Sequence, residues 1–249
     1  MTGASRALLI LIPTLLAVLS PGCAGRIRPS ALPPAGGRTE GFRAQYRLQA
    51  SGESRVRRAR LIVAYLPSRR LRLEILDPLG GSRSVLVSTD QGALLMDPVA
   101  REYRLFSGGE EAFAALAGAS LDPDLLPALL LADPSLAPGL RCQPPRLPRE
   151  PLTCGDGEGS AVLHVRKGGE EWEILVPPGA ALHARLRWEP GNRTGPPREI
   201  RLRGDRPKFR ADLVLLDMLP GAPPEDLFPL RPPESFRLAT ESSLARPRR

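Results

Sequence analysis

The chain has 249 residues, of which 42% are hydrophobic, 25% charged and only 4% aromatic, with 29 Pro, 24 Gly and 3 Cys. This composition is ordinary for a folded domain and excludes both a chain disordered throughout and a multi-span membrane protein. The formal charge is +8, and all of the 35 basic residues except Lys167 and Lys208 are Arg.

Residues 1–22 predict an export signal. Arg6 precedes an apolar run over residues 7–19, and small residues follow before Cys23. The run is short for a membrane span and Pro13 interrupts it, so a permanent transmembrane helix is the weaker interpretation. The residues before Cys23 resemble a bacterial lipobox, which predicts that Cys23 is acylated and begins the mature chain. Ordinary signal cleavage, with a free Cys23, is the alternative.

A Pro- and Gly-rich stretch without periodicity, residues 23–40, predicts a tether. After it, apolar and polar residues alternate, as in half-buried strands. Short turns join many of these segments, which indicates antiparallel neighbours. The pattern predicts about eleven strands, at residues 42–49, 58–65, 70–75, 83–89, 93–98, 101–106, 161–166, 171–177, 182–189, 198–203 and 209–217.

The Arg surplus falls on the polar phase of these strands, for example at Arg43, Arg47, Arg185 and Arg187. Such a pattern predicts a sheet with one dry face and one solvated face. Contact of the solvated face with anionic lipid headgroups is a second interpretation. Nucleic-acid binding is disfavoured, because no aromatic residues interleave with the Arg residues to stack on bases.

Two short helices are predicted within residues 107–132. Ser107 and Glu110 have the spacing of a capping box, and Asp122 precedes Pro123 as a helix N-cap precedes a first-turn proline. A sheet with one apolar face must be covered. We therefore expect these helices to cover its concave side.

Cys142 and Cys154 are an even pair once Cys23 is assigned to the anchor, and in an exported chain they predict a disulfide. They lie in a Pro-rich loop predicted over residues 133–155. A zinc site is the weaker interpretation, because only His164 and His183 are available as further ligands.

No motif of enzymatic chemistry is present: the sequence lacks a G-x-S-x-G elbow, an H-E-x-x-H pair and a P-loop. The carboxylate pairs at Glu110 and Glu111 and at Asp122 and Asp124 lie at predicted helix starts, where the helix dipole accounts for them. We predict no catalytic residue, no metal, no cofactor and no enzyme activity.

The segments LRLEILDPLGGSRSVLVSTDQGALLMDPVAREYRLF and PPREIRLRGDRPKFRADLVLLDMLPGAPPEDLFPLRPP, with two helices and LRWEP between them, resemble the LolA/LolB-like superfamily of bacterial envelope proteins. The resemblance is greatest to LolB-type outer-membrane lipoproteins and covers about residues 41–236. It implies an incomplete antiparallel β-barrel of about eleven strands, with helices over a hydrophobic cavity. The Cys pair, the Pro-rich segment 133–151 and the basic tail predicted to be disordered over residues 237–249 have no counterpart in that family.

The family implies carriage of acyl chains without covalent chemistry. A LolA-like periplasmic donor would deliver a lipid or an acylated lipoprotein, and the protein would act as a monomer at the outer membrane; Ala24 after Cys23 also favours the outer membrane. Leu79 occupies the place of a membrane-inserting loop residue of the family, and an ordinary turn residue folded onto the core is the alternative.

The apolar phases of the strands and helices provide the expected cavity lining. Its residues are Phe42, Tyr46, Leu48, Leu61, Val63, Leu71, Leu73, Phe113, Leu125, Leu129, Leu186 and Trp188. A cavity of this kind holds acyl chains by burial of apolar area. The alternative is that the same side chains fill a solid core, in which case the protein is a structural or partner-binding envelope lipoprotein.

Overall fold

The computed structural model describes residues 40–51, 56–67, 69–118, 121–137, 139–143, 150–155, 161–166, 169–176, 180–193, 195–205 and 208–239. The predicted export signal, Cys23, the predicted tether up to residue 39 and residues 240–249 of the predicted tail lie outside the described residues.

The described residues form a mainly β structure, as predicted, with 14 strands and two α-helices. The strands are β1 (Phe42–Ser51), β2 (Val56–Leu66), β3 (Arg70–Leu76), β4 (Ser82–Thr89), β5 (Gly92–Asp97), β6 (Glu102–Phe106), β7 (Arg141–Gln143), β8 (Leu152–Gly155), β9 (Ala161–Arg166), β10 (Glu171–Val176), β11 (Ala180–Arg187), β12 (Glu199–Asp205), β13 (Lys208–Pro220) and β14 (Arg237–Leu238). The helices are α1 (Gly109–Ala117) and α2 (Leu125–Leu131), with 3-10 helices at Pro134–Leu136 and Glu225–Leu227. All eleven predicted strands are present, and β7, β8 and β14 are additional.

The strands form one open sheet in the order β14-β6-β5-β4-β3-β2-β1-β13-β12-β11-β10-β9-β8-β7. Sequence neighbours pair as antiparallel hairpins from β1 to β6 and from β7 to β13. These two runs join where β1 pairs antiparallel with β13. The helices α1 and α2 lie in the connection between β6 and β7, and they therefore separate the first run of hairpins from the second along the chain.

The main core lies on one face of this sheet. In β1, Phe42, Ala44 and Tyr46 are buried while Arg43 and Arg47 are exposed, as expected for side chains that alternate between faces. The cluster on the apolar face also contains side chains from α1 and α2. The fully buried residues that α2 contributes are Leu126, Ala128, Leu129 and Leu130.

The opposite face is not polar throughout, which corrects the expectation of a single dry face. Val85, Val87 and Leu94 are buried there, in a second cluster with Phe228 from the segment after β13. Adjacent residues of a strand point to opposite faces, and Leu86 between the two valines belongs to the main core. Consecutive apolar residues in β4 therefore reflect a strand that is covered on both sides.

The chain after β13 remains part of the fold beyond the predicted domain end at residue 236. β14 runs parallel to the edge strand β6. The guanidinium of Arg237 donates to the carboxylate of Glu102 at 2.9 Å, and the amide of Ala239 donates to the carbonyl of Tyr103 at 2.8 Å. The first residues of the predicted tail are thus held at the sheet edge.

Both helices begin later than the capping signals predict. The N-cap of α1 is Gly108, without a side-chain cap, and the Ser107 hydroxyl instead donates to Glu111 at 3.5 Å. α2 begins at Leu125, and the Asp122 carboxylate accepts the amide of Asp124 at 2.9 Å in the turn before the helix. Among the described residues, no helix has the length and apolar character needed to cross a membrane.

Candidate functional site

The twelve residues expected to line a cavity come together in the structure. All of them belong to the main core cluster or pack against it. Those buried are Phe42, Tyr46, Leu61, Val63, Leu71, Leu73, Leu129 and Leu186, and those half-buried are Leu48, Phe113, Leu125 and Trp188.

This apolar interior is closed to solvent. Val63 in the sheet and Leu129 in the cover are both 0% exposed. Two concavities, of about 450 and 500 Å³, lie around the charged side chains of Glu171 and Arg185, and the second is also lined by Leu186 and Trp188. An acyl chain would therefore reach Val63 and Leu129 only if the side chains or helices that cover them moved.

Tyr46 places a polar atom in the middle of this interior. The residue is 0% exposed, and among the described residues its hydroxyl has no hydrogen-bond partner. Its cross-strand neighbours are Leu61 and Leu215, and burial raises the pKa of Tyr46 above its ordinary value. A buried donor without a partner is unfavourable. A carboxyl or ester oxygen of a ligand at this depth would find a donor there.

A β-bulge lies beside Tyr46. Gln45 pairs with Asp217 and Tyr46 pairs with Leu215, so Leu216 is left without a partner in β1 and is 40% exposed. A bulge bends the sheet and increases its local twist. The sheet therefore curves next to the buried hydroxyl.

The start of α2 is held to the turn between β2 and β3 by a partly buried carboxylate. Asp124 forms an ion pair with Arg69 at 3.4 Å. Burial raises the pKa of Asp124 to about 6, the charge of Asp122 adds to this effect, and Arg69 opposes it. Asp124 in turn contributes to the raised pKa of Tyr65, after burial. The sequence marked Asp122 and Asp124 only as helix-start residues, because burial depends on the tertiary fold.

Leu79 lies at the tip of the turn between β3 and β4 and is 97% exposed, so its side chain is not folded onto the core. The Asp77 carboxylate accepts the amides of Leu79 at 2.9 Å and Gly81 at 2.8 Å. The bond from Gly81 is the main cause that lowers the pKa of Asp77, and Arg83 adds to it. Gly80 has φ +90°, which favours glycine. These bonds give the tip a defined shape.

The disulfide joins Cys142 to Cys154 across the β7 and β8 pair, with an S–S distance of 2.15 Å. Cys154 is 0% exposed and belongs to the main core cluster. The bridge thus attaches the end strand β7 to the core. Residues 144–149 of the predicted Pro-rich loop lie outside the described residues.

The two histidines lie on the charged face of the sheet. Nδ1 of His164 is 3.2 Å from the hydroxyl of Thr153, and His183 is exposed on β11. In the part of the chain that the structure describes, no group of three or more His, Cys, Asp or Glu side chains could hold a metal ion.

The outer face of strands β9–β13 carries cross-strand and same-strand ion pairs. Arg185 contacts Glu171 at 3.0 Å, and Arg187 contacts Glu199 at 3.1 Å. Placement of Arg on the polar phase of the strands, expected from the alternation, is therefore observed. Exposed pairs of this kind contribute little stability and indicate a solvated surface.

Comparisons with known proteins give distant similarity only. No protein-family model matches the chain, and no curated protein matches it. The chain is similar to a LolA superfamily protein from Nitrosomonas europaea, with 13% identity over 78% of this chain and 91% of that chain and a TM-score of 0.49. For a domain described as an outer membrane lipoprotein-sorting protein from Vibrio parahaemolyticus, the identity is 11%, the coverages 75% and 88% and the TM-score 0.46. For a DUF1329 family protein from Desulfovibrio piger, the identity is 10% over 76% of this chain and 89% of that chain, and the TM-score is 0.48.

Proposed function

We propose that this protein is a lipid-anchored envelope protein that holds acyl chains in its apolar interior and passes a lipid or an acylated lipoprotein to a membrane. The observation that carries this proposal is the continuous apolar face of the sheet, covered by two short helices instead of a second sheet. A cover of this kind can move away and return without disturbing the pairing of the strands.

The interior suits acyl chains because its lining is mainly aliphatic. Burial of apolar surface contributes about 25 cal/mol per Å², and it needs no directional contact. The hydroxyl of Tyr46 is the polar exception, and it is placed to meet a carboxyl or ester group. The affinity for a lipid would thus depend mainly on the apolar surface of its acyl chain that is buried, and to a smaller extent on a hydrogen bond from the Tyr46 hydroxyl.

The anchor, location and donor of this proposal come from the sequence. Acylated Cys23 and the tether that follows would hold the domain at a membrane, and Ala24 together with the resemblance to LolB-type proteins favours the periplasmic side of the outer membrane. The same resemblance supports a LolA-like periplasmic donor and a monomeric acceptor.

The test is lipid occupancy of the purified protein. Native mass spectrometry is expected to show bound lipid, and a fluorescent fatty acid is expected to bind. Ala128→Leu adds volume beneath α2, where Ala128 is 0% exposed, and should weaken uptake. Ala115→Leu makes the same chemical change on the exposed side of α1 and should not. Repeated absence of bound lipid together with no fatty-acid uptake would refute the carrier.

A second candidate is an envelope lipoprotein that binds a partner and carries nothing. The observation that favours it is the close packing of the interior, in which Leu86, Leu129 and Leu130 are all 0% exposed. If this second function is correct, the unmodified protein binds no fatty acid. The Ala128→Leu and Ala115→Leu variants would then bind none either.

A further inference from the structure

Three exposed arginines lie close together on the outer face of β1 and β2. Arg47 and Arg60 stand directly opposite each other, and Arg58 lies two residues further along β2. All three side chains are exposed. Among the described residues none of the three makes a hydrogen bond or an ion pair, in contrast to Arg185, Arg187 and Arg201 of β11 and β12. We call these three residues together with the turn 77–81 the basic tip.

Two carboxylates near the basic tip are already engaged. Asp212 on the neighbouring strand β13 pairs with Arg210 at 3.0 Å, and Asp77 in the turn pairs with Arg83 at 2.9 Å. Like charges directly opposite on a sheet are unfavourable. Among the described residues the facing Arg47 and Arg60 thus have no ion-pair partner, and an anion from outside the chain would stabilise them.

The basic tip lies at the end of the sheet from which Leu79 protrudes. Arg60 pairs with Leu76, the last residue of β3. Because β2 and β3 are antiparallel, Arg58 lies two residues beyond Arg60 towards the end of the sheet that holds the turn 77–81. Leu79 follows Leu76 by three positions, which is at most about 11 Å of chain. The positive surface and the exposed leucine are therefore neighbours.

We propose that the three guanidinium groups of the basic tip bind the phosphates of an anionic phospholipid surface, next to the exposed Leu79. An apolar tip beside basic side chains is the arrangement of segments that lie in a membrane interface. A guanidinium group can donate two parallel hydrogen bonds to two oxygens of one phosphate. An acidic protein surface would satisfy the arginines but would leave Leu79 exposed. The inference rests on the proposed function, in which the protein passes its lipid or lipoprotein to a membrane.

The experiment places an environment-sensitive fluorophore at the tip through Leu79→Cys in the full, acylated chain. The protein is inserted by its own anchor into vesicles of phosphatidylcholine alone or of an equal mixture with phosphatidylglycerol. A blue shift of the fluorophore is expected in the anionic vesicles and should weaken as salt is added. Each basic residue contributes to such docking, so Arg47→Gln, Arg58→Gln and Arg60→Gln together should lower the docked-to-free ratio about 100-fold.

The matched control is the triple change Arg185→Gln, Arg187→Gln and Arg201→Gln, which removes the same charge from arginines that have carboxylate partners. It should leave the blue shift in place. Circular dichroism of both triple variants checks that each remains folded; the basic-tip variant relieves a like-charge pair and should fold normally. An equal shift in both vesicle types, or no loss in the basic-tip variant, would overturn the proposal. No shift in any vesicle would also overturn it, and unchanged fatty-acid uptake would then leave the carrier function standing.

Discussion

Replacing Tyr46 with Phe removes one atom from the centre of the interior and changes little else. The ring stays in the same place among Leu61 and Leu215, and the hydroxyl that disappears has no hydrogen-bond partner among the described residues. The substitution therefore isolates the effect of an unpaired buried donor. We expect it to stabilise the protein.

The size of this effect follows from the burial. Tyr46 is 0% exposed, and an unsatisfied buried hydroxyl costs about 1–3 kcal/mol. Partial relaxation of the surroundings favours the lower part of this range, so Tyr46→Phe should add about 1–2 kcal/mol. For a domain of this size, each kcal/mol raises the melting temperature by about 2–4 °C.

Thermal unfolding and urea titration measure this directly. Tyr103→Phe, at a half-buried tyrosine on the outer face, is the control and should change stability by no more than about 0.5 kcal/mol. The raised pKa of Tyr46 adds a second readout, because the folded state disfavours its ionised form. Stability is unaffected below the ordinary tyrosine pKa of about 10 and falls as the pH rises above it. The Phe variant should lose less stability there, and a lower melting temperature for it would refute the reasoning.

Further predictions concern the tip, the anchor, the disulfide and the cover. Leu79→Glu should slow transfer of a fluorescent fatty acid to vesicles while leaving its uptake unchanged, because a charged tip enters a bilayer poorly; an unchanged transfer rate would make Leu79 an ordinary turn residue. Cys23→Ala should abolish incorporation of radiolabelled palmitate, and persistent label would exclude the lipobox assignment. Replacing Cys142 and Cys154 with Ser should lower the free energy of unfolding by about 3 kcal/mol in a urea titration, and an unchanged midpoint would show that the bridge adds nothing. For Asp124, a folded pKa of about 6 lies above its ordinary value, so the protonated form is favoured, and the stability present at low pH is lost as the pH rises through 6. Asp124→Asn should remove part of the fall in melting temperature between acidic and neutral pH, and parallel pH profiles would contradict this.

The strands could be predicted from sequence because alternation of apolar and polar residues is a local property. In β1 the buried phase begins at Phe42 and the exposed phase at Arg43, and the same rule identified ten further strands. β7 and β8 were missed because three and four residues are too few for a period to show. Their pairing depends on the disulfide between Cys142 and Cys154 and on the adjacent strand β9.

The candidate site was only partly predictable. Its apolar lining follows from the phase of each strand, but the lack of a partner for the Tyr46 hydroxyl depends on residues far away in sequence, such as Leu215. The consecutive apolar residues Val85, Leu86 and Val87 are a local signal of a strand buried on both faces. The sequence did not indicate that the segment around Phe228 covers the second face, because that contact joins residues far apart in the chain. The start of α1 differs from the expected one because the Ser107 hydroxyl donates to the side chain of Glu111 instead of capping the helix, which leaves Gly108 as the N-cap.

The pairing of β1 with β13 has a consequence for biogenesis. The first strand of the domain finds its long-range partner only near the end of the chain, so the two runs of hairpins can form early but cannot join until β13 is available. Contacts so distant in sequence slow folding. A chain interrupted before β13 would present β1 and β12 as bare edges, which invite aggregation. Completion of the sheet therefore depends on the last long strand of the chain, β13.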